Sequence, residues 1–213
     1  MIDWALIPVK RFDAGKSRLR KVFSSQVLIQ LNLSLFQSTF LKVKDSGQFA
    51  HILVVSRDED ASEWTDANGG ASLREVGEET LNSALTQGLK WISAHGAGSV
   101  LILPTDLPLL TIADLYALCA YQPAKPGMLI VPDQVQRGTN ALLLTQPDLL
   151  EPQFGTNSFQ AHCRQAEQLH LHQIVYLNQH IQQDIDMPED LAHIQISFLL
   201  NSPIASVERN FND

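Results

Sequence analysis

The chain has 213 residues, of which 45% are hydrophobic and 18% are charged, and its formal net charge is −8. This length suits a single α/β domain over residues 1–213, and the sequence pattern excludes a membrane span, a signal peptide and a broadly basic nucleic-acid binder. Cys119 and Cys163 form no C-x-x-C pair, which argues against a zinc site and a disulfide scaffold. We therefore expect a cytoplasmic protein with reduced thiols and with no nucleic-acid or membrane partner.

Apolar runs alternate with helical patterns along the chain. Six runs have the length and branching of buried strands: Trp4–Val9, Ile52–Ser56, Val100–Leu103, Met128–Val131, Ala141–Leu144 and Ile174–Leu177. The spacing of apolar residues predicts helices over 26–41, 80–95 and 111–120, and a capping box opens the third. This alternation indicates a mostly parallel sheet covered on both faces, with ligands beyond the carboxyl ends of its strands. Residues 201–213 are expected to form a loosely held tail.

The first predicted strand leads into a glycine-containing loop that concentrates positive charge. Six of the fifteen Lys and Arg residues lie within residues 1–21, against two acids, although the whole chain is acidic. A local cationic loop on an acidic body indicates a phosphate cradle, because a nucleic-acid binder usually carries a broader basic stripe. We expect Lys10, Lys16 and Arg18 to neutralise a triphosphate. The alternative is a solvated loop with scattered charges.

Two acidic segments indicate a magnesium site. Asp106 follows a predicted strand and lies between two prolines, where the alternative reading is a turn aspartate that caps the next segment. Asp184 and Asp186 alternate on an extended segment, so their side chains face the same side. Mg²⁺ in nucleotide sites keeps several waters and takes few carboxylates, and we expect Asp106 with Asp186, holding Asp184 as the alternative. Glu189 and Asp190 are expected to interact with a helix dipole rather than with the metal.

Together these features suit nucleotidyl transfer, which depends mainly on positioning and charge neutralisation. An acceptor that is itself a phosphate is already ionised, so the reaction needs no general base. In agreement, the chain offers no Ser-His-Asp order, G-x-S-x-G elbow or H-E-x-x-H helix.

A third cluster comprises residues 131–133, 137–141 and 154–159, and it contains small hydroxyl, amide and glycine residues. Such residues suit close approach of the backbone to an anion, and Ser158 is predicted to be the N-cap of a helix whose N–H groups would grip a carboxylate or phosphate. His162 lies on the same helix face and would support this acceptor site. The alternative is an ordinary turn followed by an ordinary cap.

In this order, the clusters resemble the 2-phospho-L-lactate guanylyltransferase family, within the MobA-like nucleotidyltransferase group. The matching segments cover most of the chain, at residues 7–10 with 15–19, 103–108, 138–142, 154–159 with 162, and 184–191. The resemblance implies a Rossmann-like nucleotidyltransferase fold of the GT-A-like type, with three α/β/α layers and a mostly parallel mixed sheet. It also leaves open a homodimer.

The resemblance further implies transfer of GMP from GTP to a small phosphorylated carboxylic acid, with release of pyrophosphate, in the biosynthesis of the deazaflavin coenzyme F-420. Family members use 2-phospho-L-lactate, phosphoenolpyruvate or 3-phospho-D-glycerate. By matching positions, the acceptor would contact Thr139, Gly155 and Ser158. The same matching assigns Mg²⁺ to Asp106 and Asp186, and places Asn82 near the nucleotide base.

Three departures from the family pattern are Gly15 for the usual Ala, Thr80 for a common Gly, and Met187 for the usual Thr. Because Met cannot cap a helix, we expect a loss of ~1 kcal/mol of helix stability and a looser loop around Asp186. The alternatives are another MobA-like or sugar-phosphate nucleotidyltransferase, and a nucleotide-binding module without catalysis. A dinucleotide-dependent oxidoreductase would share the fold class but would need a glycine fingerprint that the chain lacks.

Overall fold

The computed structural model describes residues 1–96 and 98–193, so the predicted tail over 201–213 lies outside the described residues. The strands form one seven-stranded sheet with the order β3-β2-β1-β4-β6-β5-β7. They are β1 (Ile2–Val9), β2 (Phe49–Ser56), β3 (Ala71–Arg74), β4 (Val100–Ile102), β5 (Gly127–Pro132), β6 (Thr139–Leu144) and β7 (His172–Val175). Strand β6 runs antiparallel to β4 and β5, and the other pairs are parallel. The mostly parallel mixed sheet is therefore confirmed.

Five α-helices and two 3-10 helices connect the strands. They are α1 (Ser25–Ser46), α2 (Glu59–Ala67), α3 (Leu81–Ala94), α4 (Ile112–Ala120) and α5 (Ser158–Gln168), with 3-10 helices at Ser17–Lys21 and Pro188–His193. Local caps explain where the predicted helices begin, since the hydroxyls of Ser24, Thr80 and Thr111 each accept a hydrogen bond from the first turn. Within the described ranges, no helix has the length and apolar character that a membrane crossing requires.

Several elements differ from the sequence-based prediction, which lacked strand β3 and placed the last strand at 174–177 rather than His172–Val175. Helix α1 continues past the predicted end at residue 41, because its apolar face extends to Val43, and it ends where Gly47 adopts a positive φ of 59°. Helix α2 was missed altogether. Its start is capped by Asp58, whose carboxylate accepts from the N–H of Ala61. The short helix carries few apolar residues, so its periodicity gives a weak signal.

The strands bury both faces against separate helix layers. In β1, Ala5 and Ile7 join the core cluster that includes residues of α1, α2 and α4. Trp4 and Leu6, which alternate with them, join the cluster that includes residues of α3 and α5. Side chains of successive strand residues point to opposite faces, so the alternation shows a helix layer on each side of the sheet. The three-layer α/β/α arrangement is thus confirmed.

The reversal of β6 determines which residues meet at the edge of the sheet. Thr139, the first residue of β6, pairs with Pro132, the last residue of β5. An antiparallel strand presents its amino end where its parallel neighbours present their carboxyl ends. Residues 139–140 therefore lie at the same edge as the loops that follow β1 and β4.

Gly88 allows α3 to pack closely on the sheet, and we predict that Gly88→Ala destabilises the fold. A Cβ at this position would lie 2.7 Å from Leu6 Cδ1 and 2.9 Å from Val55 Cγ2. Overpacking costs roughly 1–3 kcal/mol, against about 1 kcal/mol gained from helix propensity, so we expect a net loss of roughly 1 kcal/mol in the free energy of unfolding. Urea denaturation measures it, with the exposed Lys90→Ala in the same helix as control. Stability equal to that of the wild type would contradict the close packing.

Candidate active site

A cleft opens at the edge of the sheet where the loops converge. One lobe has a volume of about 510 Å³ and a second lobe about 460 Å³. The lobes share five lining residues: Arg18, Asp133, Arg137, Asp184 and Asp186. Two basic and three acidic side chains thus lie where the lobes meet, and this is the charge distribution of a site for phosphates and a cation.

Three carboxylates converge in this cleft. Asp106, Asp184 and Asp186 each offer an oxygen, and these atoms lie within 4.8 Å of one another. The backbone N–H of Ile185 donates to the carbonyl of Asp106 at 3.0 Å, which joins the two acidic segments. The structure thus brings together both aspartates that were predicted as alternatives.

The segment that carries Asp184 and Asp186 is not a strand of the sheet. The alternation of its side chains nevertheless holds, because Ile185 is fully buried between the two acids. Ile185 belongs to a small apolar cluster with Leu19, Leu28, Leu31 and Leu35. Burial of one apolar side chain therefore turns both neighbouring carboxylates toward the cleft.

The electrostatics of the cluster reflect this crowding. Partial burial and then the charge of Asp106 raise the pKa of Asp184 to about 6. Partial burial and Asp106 also raise the pKa of Asp186, while Lys16, Arg18 and Lys10 oppose the rise. The carboxylates therefore repel one another, and carboxylate oxygens in such a group are the ligands that hard divalent cations prefer.

The three predicted phosphate cations take different positions. Arg18 lines both lobes, and its Nη1 lies 3.6 Å from Asp186 Oδ2. Lys16, in a left-handed conformation with φ 54°, donates from Nζ to the carbonyl oxygen of Ile185. Lys10 is exposed just beyond the end of β1. The cationic loop thus contacts the segment that carries the aspartates.

The loop itself is held from two sides. The N–H of Phe12 donates to Asp58 Oδ2 at 3.0 Å, and the carbonyl of Phe12 accepts from Asn32 Nδ2 at 2.8 Å. A Cβ at Gly15 would lie 2.8 Å from the same Asn32 nitrogen. Glycine at this position therefore leaves room for the asparagine that anchors the loop.

The predicted acceptor residues Thr139, Gly155 and Ser158 all line the larger lobe. Ser158, however, is not the N-cap of α5. Asn157 holds that position with φ 60° and makes no side-chain cap bond, because Gly155 at φ 124° and Asn157 form a left-handed turn into the helix. Ser158 is the first helical residue, and its Oγ lies 3.1 Å from Thr139 Oγ1.

His162 closes this wall from inside the protein. Its side chain is completely buried, with Nδ1 3.1 Å from Thr139 Oγ1 and Nε2 accepting from the N–H of Gln153 at 2.9 Å. Burial lowers the pKa of His162 to about 4, so the imidazole is neutral at neutral pH. His162 therefore contacts Thr139 directly, as a supporting role would require, and the acceptor role of Thr139 stays a prediction.

Asn82 lies at the start of α3, and both ends of its amide are engaged. Nδ2 donates to the carbonyl of Phe154 at 3.0 Å, and Oδ1 accepts from the N–H of Phe154 at 2.8 Å. Its predicted contact with the nucleotide stays a prediction. In the structure Asn82 ties α3 to the loop that carries Gly155.

Two cleft residues belong to the third cluster, but sequence reasoning gave them no role of their own. Arg137 lines both lobes, and its place just before the Gly-Thr-Asn segment is the signal that would have identified it. Asn140 donates from Nδ2 to the carbonyl of Ile181 at 2.9 Å and approaches Asp184 Oδ1 at 3.4 Å. It therefore orients Asp184, a long-range role that no local pattern reveals.

Asp190 supports the segment around Asp186. Its Oδ2 accepts from the N–H of Asp186 at 2.8 Å and from the N–H of Met187 at 2.7 Å. Hydrogen bonds from backbone N–H groups to a carboxylate are among the stronger ones. The looseness expected from Met187 is therefore offset by Asp190, which does more than the predicted interaction with the helix dipole.

We predict that Asp190→Ala loosens the segment from Asp184 to Met187. The variant loses two charge-assisted hydrogen bonds, each worth roughly 1.5–3 kcal/mol, while the buried Ile185 still anchors the centre. Hydrogen exchange of the amides of Asp186 and Met187 should accelerate at least tenfold. Glu189→Ala, an adjacent acid in the same 3-10 helix, is the matched control. Equal protection in both variants would show that Asp190 does not hold the segment.

Comparison with known sequences identifies relatives of this chain. The family described as "Guanylyl transferase CofC like" matches residues 3–198. A phosphoenolpyruvate guanylyltransferase from Rubrobacter xylanophilus is 36% identical over 92% of this chain and 95% of its own. A 2-phospho-L-lactate guanylyltransferase from Methanothermobacter thermautotrophicus is 32% identical over 89% and 82%. A 3-phospho-D-glycerate guanylyltransferase from Colwellia psychrerythraea is 30% identical over 93% and 92%.

Solved structures agree on the fold. A putative nucleotide-diphospho-sugar transferase from Desulfovibrio desulfuricans superposes with a TM-score of 0.70 at 15% identity, over 95% of both chains. A nucleotidyl transferase from Methanothermobacter gives a TM-score of 0.65 at 15% identity, over 93% of this chain and 98% of that one. The chain therefore belongs to the family of CofC-like guanylyl transferases and is a nucleotidyl-transferring enzyme.

Proposed function

We propose that the protein transfers GMP from GTP to a small phosphorylated carboxylic acid, in the cytoplasm and in the service of deazaflavin coenzyme biosynthesis. The observation that carries this proposal is the convergence of Asp106, Asp184 and Asp186 within 4.8 Å in a cleft that also contains Arg18 and Thr139. Cations for a triphosphate, carboxylates for a divalent cation and neutral donors for a second anion thus share one site. The relatives, which are guanylyltransferases of phosphoenolpyruvate, 2-phospho-L-lactate and 3-phospho-D-glycerate, support this donor and this class of acceptor.

The donor side consists of the cationic loop. Arg18 lines the cleft, and Lys16 is held one residue from each of the two aspartates through Ile185. A triphosphate entering here would take over these cations from their present partners, the carboxylate of Asp186 and the carbonyl of Ile185. The start of α3 borders the same lobe through Leu81 and would lie beside the base.

The three carboxylates fit Mg²⁺ as a donor set, because they supply oxygen ligands with net negative charge at one point. Asp106, Asp184 and Asp186 would hold the ion, and when bound it would neutralise phosphate charge beside the reacting centre. Asn140 and Asp190 keep the aspartates in place, and Arg18 limits their mutual repulsion.

The acceptor side is the wall formed by Thr139, Gly155 and Ser158. An ionised oxygen of the acid's phosphate attacks the α-phosphorus of GTP, and a new P–O bond forms there. The bond from that phosphorus to the oxygen bridging the β-phosphate breaks, and pyrophosphate leaves with the electron pair. Because the attacking oxygen carries no proton, the chain needs no general base, and the wall only binds and orients the acid.

Product analysis tests this function. The protein is incubated with Mg²⁺, with GTP, ATP or CTP, and with each of phosphoenolpyruvate, 2-phospho-L-lactate and 3-phospho-D-glycerate. Mass spectrometry should detect a guanylylated acid together with pyrophosphate in at least one GTP reaction. Absence of product with all three acids, or a clear preference for ATP or CTP, would overturn the proposal.

Lys16→Ala should lower kcat/KM for GTP more than tenfold relative to Lys21→Ala. The variant loses both a cation for the triphosphate and the bond to Ile185, and a hydrogen bond with a charged partner is worth roughly 1.5–3 kcal/mol. Lys21 is the last residue of the 3-10 helix that Lys16 precedes, and it is exposed, so its removal controls for the change in net charge. Steady-state kinetics decide, and equal values for the two variants would remove Lys16 from the phosphate site.

A further inference from the structure

A buried hydrogen-bond chain lies behind the acceptor wall, and its inner member, His162, has no part in the reaction described above. It runs from the backbone N–H of Gln153 through the ring of His162 to the hydroxyls of Thr139 and Ser158. The side chains of Thr139, Ser158 and His162 are 7%, 1% and 0% exposed. Buried polar groups of this kind are held in one arrangement, because an unpaired partner would be costly.

The partners of His162 determine which ring nitrogen carries the proton. A backbone N–H can only donate, so Nε2 of His162 is an acceptor toward Gln153. Complete burial keeps the ring neutral, with its pKa lowered to about 4. A neutral imidazole has one N–H, which must then be at Nδ1, and this N–H donates to Thr139 Oγ1 at 3.1 Å.

Because the His162 ring donates to Thr139, one hydroxyl hydrogen of the Thr139–Ser158 pair remains for a ligand. Thr139 and Ser158 share a single O–H···O bond at 3.1 Å, which uses one of their two hydrogens. In the part of the chain that the structure describes, no protein acceptor takes the second hydrogen. Both residues line the cleft, so the remaining O–H is available there. A wall that ends in a donor suits an anionic oxygen and disfavours a donor group.

We propose that His162 is a positioning residue that orients the Thr139–Ser158 hydroxyl pair as a hydrogen-bond donor to the anionic acceptor. This inference rests on the proposed function and adds the residue that sets the polarity of the acceptor site. His162 touches no substrate, since it is buried behind the wall, and it acts through Thr139.

Two substitutions separate the two contacts of the ring. An Asn amide reaches the place of Nδ1, so His162→Asn keeps a donor to Thr139 and loses the acceptor for Gln153. A Gln amide reaches the place of Nε2, so His162→Gln keeps the acceptor for Gln153 and loses the donor to Thr139. The pair therefore distinguishes a role at the acceptor site from a role in holding the loop at Gln153.

For His162→Gln we expect the KM of the acid turned over fastest to rise about three- to tenfold, the range of one net hydrogen bond, while the KM for GTP changes less than about twofold. For His162→Asn we expect a smaller rise in the acceptor KM and a lower Tm. In a Thr139→Val background, His162→Gln should add no further increase, because its effect passes through the missing hydroxyl.

An unchanged acceptor KM in His162→Gln, an equal rise for GTP, or an undiminished effect in the Thr139→Val background would overturn the inference. Failure of the wild type to turn over any of the three acids would overturn the proposed function instead. In that case the thermal shift that phosphoenolpyruvate produces without GTP decides. A smaller shift for His162→Gln than for both wild type and His162→Asn supports the role of His162, and any other order contradicts it.

Discussion

The hydrogen bond from the N–H of Ile185 to the carbonyl of Asp106 is the contact on which the site depends. It holds together two segments that carry like charges, and partial burial and then the charge of Asp106 raise the pKa of both Asp184 and Asp186. Complete burial of the Ile185 side chain, between the two aspartates, stabilises this arrangement and offsets the repulsion. Like-charged groups kept close by their surroundings are typical of functional sites, where strain is tolerated because it serves the ligand.

Around this contact, polar side chains from distant parts of the chain fix the remaining freedom. Lys16 binds the carbonyl of Ile185, Asp190 accepts from the two N–H groups that follow it, and Asn140 approaches Asp184. Each of these three residues comes from a different element at the edge of the sheet. These bonds tie the aspartate segment to neighbouring elements, which reduces the ordering of the carboxylates that binding of a cation requires.

Features that arise within a few residues could be predicted from the sequence. The capping box at Thr111 and the alternation of strands and helices depend on local hydrogen bonds and on periodicity, and both are present. Residues that act across the fold could not be predicted in the same way. Ser158 reads locally as a cap, but its hydroxyl bonds to Thr139 instead. The bonds from the Asn82 amide to the backbone of Phe154 also join distant segments, and no local pattern indicates them.

The two sides of the cleft differ in the chemistry with which they meet an anion. The loop before α1 offers Lys16 and Arg18, which are fixed charges, whereas the wall at Thr139 offers neutral hydroxyls ordered from behind by a neutral His162. Under the proposed function, a wall built only of cations would attract the triphosphate as well as the acid and would not distinguish the two substrates. Neutral hydroxyl donors reduce this competition between the two anions. A hydrogen bond requires the ligand oxygen to lie in a defined direction, whereas a charge attracts any anion. Three acids that share a phosphate and a carboxylate would then be told apart by the residues lining the rest of the cleft, of which Arg137 and Asp133 border both lobes.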